Sequence, residues 1–97
     1  MTHSIRQRLN NERERALNVD TFEDAVANMR ASNFLGSFIA DLGNRAMDGS
    51  TAHNQMIVDL LSGNVSDDLH FEALEWYGDN AEFIADELAE QAMGQVA

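Results

Sequence analysis

Apolar residues recur along this chain at three- and four-residue intervals nearly throughout, the spacing of one face of an α-helix. Ile5, Leu9 and Leu17 mark a sparse stripe reaching to about Asn18, and Ser4 with Gln7 forms a capping box at its start. Thr21 precedes a second helix whose first turn holds Glu23 and Asp24, where the helix dipole favours acids; Phe22, Val26 and Met29 follow at i, i+4 and i+7. Ser32 stands as the cap of a third segment. In it Phe34, Phe38 and Leu42 form one row and Leu35, Ile39 and Ala46 its neighbour, an apolar face wide enough to place this helix at the centre of the core, and Asp48-Gly49 ends it.

Ser50 or Thr51 opens a fourth helix carrying Met56, Ile57, Leu60 and Leu61, closed by Gly63 just past its end. Ser66 caps a fifth, with Asp67 and Asp68 in its first turn, followed by Leu69, Ala73, Leu74, Trp76 and Tyr77. Gly78 interrupts this pattern. Asp79 with Glu82 repeats the cap signal, and Phe83, Ile84, Leu88 and Ala92 continue to Gly94. β-branched residues are few, and only Leu69–Trp76 also fits the alternation of a strand. The pattern therefore predicts one all-α domain over 1–97, a compact bundle of five to six short helices, with 1–20 as a peripheral helix of mixed charge.

Composition narrows the function. The 97 residues include no cysteine, no proline and no lysine, so neither a disulfide framework nor a cysteine-based zinc site is expected. No stretch approaches the ~18 consecutive apolar residues of a membrane span, and Ile5, Leu9 and Leu17 lie among arginines and asparagines rather than in the apolar run of a secretion signal. These features point to a cytoplasmic protein without a membrane partner. Six arginines oppose seventeen acids for a net charge of −11, which argues against direct nucleic-acid binding, since phosphate contacts need a basic surface. The charge is unevenly placed: residues 1–50 hold all six arginines and seven acids, whereas 51–97 hold ten acids and no Lys or Arg.

Candidate chemistry is sparse. His3 lies near the terminus, His53 has no acid three or four residues away, and His70 has Asp67 at i−3. A carboxylate-bridged metal site in a bundle needs that acid–histidine step twice, and the His-Glu-x-x-His pattern of zincins is absent, so no metal is expected. Ser4, Thr21, Ser32, Ser50, Thr51 and Ser66 read as helix caps, and there is no Gly-x-Ser-x-Gly nucleophile elbow. A Walker-type loop is excluded by the missing lysine. No catalytic residue and no cofactor emerge, and the expectation is a non-enzymatic protein.

The most specific feature is a row of carboxylates. Asp68, Glu72, Glu75, Asp79, Glu82, Asp86 and Glu90 follow one another by 4, 3, 4, 3, 4 and 4 residues, a mean of 3.67, close to the helical repeat. If Gly78 bends the segment only mildly, the row spans roughly 33 Å, a length over which one strand of B-DNA presents roughly ten phosphates. Asp67 and Glu87 bring the total to nine carboxylates with no basic residue among them. Any amphipathic helix places polar residues at this period, but exposed helices usually mix Glu with Lys, and here every i, i+3 or i, i+4 pair in the row is repulsive. Trp76 and Tyr77, beside the row, are candidate aromatic anchors for a partner, the alternative for both, and for Tyr77 above all, being a place in the core.

A small, acidic, cysteine-free helical chain with a carboxylate row over Asp68–Glu90 resembles the phage-encoded anti-defence proteins, among them DNA-mimic antirestriction proteins and small anti-CRISPR proteins. The resemblance covers about 25 residues and implies a stoichiometric inhibitor in the infected bacterial cytoplasm, whose acidic face occupies a basic, nucleic-acid-binding surface of a host-defence complex. The partner-binding residues would be Asp68, Glu72, Glu75, Trp76, Asp79, Glu82, Asp86 and Glu90. Residues 1–50 are nearly neutral, unlike the most acidic mimics, which favours a one-sided contact over mimicry of a whole duplex. Two other readings stay open at this point: a helical structural or regulatory module that forms homo-oligomers through the Phe34–Leu42 surface, and adaptation to high salt.

Overall fold

The computed structural model describes the backbone of residues 5–96 and the side chains of residues 10–94. Five helices follow one another: α1 (Ile5–Leu17), α2 (Phe22–Ala31), α3 (Leu35–Met47), α4 (Thr51–Ser62) and α5 (Asp67–Val96). Among the described residues there is no strand, so Leu69–Trp76 is helical. The bundle is drawn out along α5 to 54 × 21 × 20 Å.

Most helix boundaries follow the capping chemistry. The Thr21 hydroxyl accepts from the Asp24 N–H at 3.2 Å, the Ser50 hydroxyl from the His53 N–H at 3.3 Å, and the Ser66 hydroxyl from the Leu69 N–H at 3.2 Å. Gly63 closes α4 in the left-handed region at φ 83°, a conformation that costs a residue with a Cβ far more. The expected capping box at Ser4 and the side chains of Ile5 and Leu9 lie outside the described residues. Ser32 acts differently from expectation. Its buried hydroxyl donates back to the carbonyls of Asn28 and Met29, which makes it the end of α2 and not the start of α3. Asn33 then turns the chain at φ 66°, and α3 begins after Phe34 without a side-chain cap.

The centre of the core is α5, not α3. Thirty residues long, it runs about 45 Å, and α1, α2 and α4 all pack on it. Its inner side buries Leu69, Ala73, Trp76, Tyr77, Ala81, Ile84, Ala85 and Ala89. Phe38 and Leu42 of α3 are fully buried and supply the opposing surface, with the Phe38 and Trp76 rings tilted at 53° and 5.3 Å apart. The expected division into two short helices at Gly78 does not occur. Gly78 lies on the exposed side of α5, and its neighbours Trp76, Tyr77 and Ala81 are anchored in the core. Burial of those side chains outweighs the ~0.5–1 kcal/mol that a glycine costs inside a helix. The Asp79–Glu82 spacing that imitates a cap is part of the acidic row.

Tyr77 ties three helices together. Its buried phenol donates to the Ala16 carbonyl of α1 at 2.6 Å and accepts from the Asn28 amide of α2 at 3.1 Å. α1 thereby lies along the C-terminal part of α5, with Ala16 buried at the contact and Arg13 reaching Asp86. Burial raises the Tyr77 phenol above its ordinary 10.0, an effect that the Asn28 hydrogen bond opposes.

Two predictions follow from this frame. Apart from its chain neighbours and the backbone of its own helix, no atom lies within 4 Å of where a Cβ on Gly78 would sit, so Gly78→Ala is expected to stabilise the protein by about 0.5–1 kcal/mol in urea unfolding. A helix broken at this position would give no gain. Because the folded pKa of Tyr77 exceeds the unfolded value of 10.0, its contribution is complete below pH 10 and is lost as pH rises through the higher folded value. Thermal unfolding at stepped alkaline pH should show this loss in wild type and not in Tyr77→Phe, which is itself expected to cost about 1–3 kcal/mol by orphaning the Ala16 carbonyl and the Asn28 amide.

A candidate acidic face on α5

Because α5 is continuous, the carboxylate row is collinear. At about 100° per residue, Asp68, Glu72, Glu75, Asp79, Glu82, Asp86 and Glu90 all project within roughly 40° of one line on the helix surface. Asp68, Glu75, Asp79, Glu82, Asp86 and Glu90 are exposed, and Glu72 is partly buried. The face lies opposite the buried side of the helix and meets solvent at each of these positions except Glu72.

The row is not electrically uniform. Near its start, the Arg45 guanidinium of α3 donates to Glu72 Oε1 at 2.6 Å, and His53 Nε2 of α4 lies 3.8 Å from the same oxygen. The Ser50 cap contacts His53 Nδ1, so Ser50, His53, Arg45 and Glu72 form one polar strut joining α3, α4 and α5. Near its far end, Arg13 Nε of α1 lies 2.9 Å from Asp86 Oδ1, an ion pair whose N–H does not align as a hydrogen bond. Glu72 and Asp86 are therefore partly neutralised within the fold. No ion pair among the described residues reaches Asp68, Glu75, Asp79, Glu82 or Glu90.

Trp76 does not belong to this face. It is buried against Phe38, and its indole N–H donates to Asp41 Oδ2 at 2.6 Å. Tyr77 is buried likewise. Both had been placed beside the row by their position in sequence; their actual direction is set by the core, because each ring carries a polar atom that finds a partner on a neighbouring helix. The exposed aromatics are instead Phe71, 67% exposed, and Phe83, 64% exposed, although Phe83 continues the apolar pattern of the sequence. They sit at the two borders of the row, about 60° to either side of its line. Helical phase gives no signal for them: on one unbroken helix Phe71 falls at the same angle as buried Ala89, and Phe83 within about 20° of buried Trp76, so their exposure depends on which stretches of α5 the neighbouring helices cover.

His70 stacks on Phe22, with ring centroids 6.2 Å apart, and no three His, Asp or Glu side chains among the described residues gather as a metal site. No helix among the described residues is long and apolar enough to cross a membrane. Phe38 and Leu42, central to the surface suggested for self-association, are buried in the bundle and unavailable to a second copy. Comparison with protein-family models, curated proteins and solved structures gives no match for this chain.

The two classes of carboxylate separate by stability. Neutralising Glu75, Asp79 and Glu82 as Gln, Asn and Gln should leave the fold intact and raise its stability by about 0.2–0.5 kcal/mol per repulsive pair removed. Glu72→Gln should lower it by up to about 1 kcal/mol, because Arg45 and His53 lose their shared partner. Urea midpoints of the two variants at low salt should shift in opposite directions.

Proposed function

We propose that this protein is a non-enzymatic inhibitor whose α5 face binds a basic, nucleic-acid-binding surface of a protein target, such as a CRISPR surveillance complex or another host-defence nuclease complex. The observation that carries this reading is the unbroken helix from Asp67 to Val96, which keeps the acidic row on one line. Arginine and lysine side chains that hold phosphates would hold carboxylates at similar spacing. The attraction would speed encounter, and occupancy would exclude the nucleic acid. Supporting it further is the cost of the arrangement: like charges at i, i+3 and i, i+4 work against the helix, and the second half of the chain supplies no Lys or Arg to relieve them.

The test is affinity isolation from bacterial lysate using wild type and a variant with Glu75→Gln, Asp79→Asn, Glu82→Gln and Glu90→Gln, both checked for helicity. Wild type should retain a nucleic-acid-binding complex that is released by duplex DNA and by moderate salt, as expected of exposed charge pairing. The folded variant should not retain it. Retention of the same complex by both proteins would sink the proposal.

A further inference from the structure

Phe71 and Phe83 are the two large aromatic side chains that the bundle leaves in solvent. Each is bordered by carboxylates at the spacings that make helix neighbours: Phe71 by Asp67, Asp68 and Glu75, and Phe83 by Asp79, Asp86 and Glu87. The aromatic contacts within the fold involve other rings, Phe22 with His70 and Phe38 with Trp76, and among the described residues no arginine stacks on Phe71 or Phe83. A phenylalanine ring beside carboxylates presents a negative π-face and ionic acceptors within one helical turn. The cation that uses both at once is a guanidinium, which is planar, stacks on aromatic faces and pairs with carboxylate through a fixed fork of donors. An ammonium is a strongly hydrated point charge and gains less from the ring.

From this juxtaposition we infer that the face selects an arginine-rich protein surface over a lysine-rich one, with Phe71 and Phe83 as stacking platforms about 18 Å apart along α5. The inference rests on the acidic-face reading above and adds the identity of the partner's cations. A second copy of this chain is a poor occupant, since each carries a net charge of −11 and both rings are bordered by acids.

Deca-arginine and deca-lysine peptides serve as probes, with binding followed by fluorescence anisotropy. The proteins compared are wild type, Phe71→Leu/Phe83→Leu, Phe71→Tyr/Phe83→Tyr, and the charge variant Glu75→Gln/Asp79→Asn/Glu82→Gln. Wild type should bind deca-arginine more tightly than deca-lysine. The leucine pair keeps apolar bulk and helix propensity but has no π-face; it should lose roughly five- to twentyfold in deca-arginine affinity and much less for deca-lysine. The tyrosine pair should restore the preference. If the leucine pair binds deca-arginine as wild type does, the stacking inference is overturned while the acidic face stands. If the charge variant binds both peptides as tightly as wild type, the acidic-face reading itself fails. Both phenylalanines are exposed, so the substitutions remove no core contact, and circular dichroism verifies the helix content.

Discussion

Burial of one side of a single long helix is the constraint on which the rest of this structure depends. A chain of 97 residues that commits thirty of them to one helix has, among the described residues, four shorter helices with which to cover it. α1 and α2 pack directly on α5, α4 touches it, and α3 reaches it through Phe38 and the Asp41 carboxylate. The small residues Ala73, Ala81, Ala85 and Ala89 on the inner side of α5 let neighbouring helices approach closely, since interhelical distance depends on the side chains at the contact. What the four helices leave uncovered is one strip, and the strip is acidic.

The distribution of arginines follows from that geometry. A helix whose exposed side carries only like charges is destabilised along its length. Arg45 and Arg13 meet the strip at Glu72 and Asp86, one from α3 and one from α1, where helices packed nearby bring a guanidinium within reach. Between them, Glu75, Asp79 and Glu82 have no cation in reach among the described ion pairs. The repulsion that these pairs leave unrelieved runs through the middle of the row, where Trp76, Tyr77, Ala81 and Ile84 anchor the inner side of the helix, and recurs between Glu87 and Glu90. Core burial of this extent, a few kcal/mol for a side chain such as Ile84, exceeds the few tenths lost to each repulsive pair.

Helix content and most caps were legible in the sequence because they are local: Thr21, Ser50 and Ser66 accept from backbone N–H groups three residues on, and apolar periodicity marks the helices between them. The row from Asp68 to Glu90 was legible for the same reason. What was not legible required knowledge of tertiary neighbours. Gly78 looks like a break until Tyr77 is seen to bond both α1 and α2. Ser32 looks like an N-cap until its hydroxyl is found bonded back into α2. Trp76 turns inward because its indole N–H has a partner in Asp41, a residue 35 positions away, while Phe83 meets no covering helix. His53 and Glu72, unremarkable apart, become neighbours only when α4 packs on α5.

The continuity of α5 through Gly78 also bears on the entropy of any encounter. Flexible acidic segments lose backbone freedom when they bind, and that ordering offsets part of the attraction. Here the charges from Asp68 to Glu90 ride on a helix already fixed by folding, so their backbone spacing is set before a partner arrives. Only side-chain rotamers remain to be ordered. The face therefore presents its carboxylates at a backbone spacing fixed by folding alone.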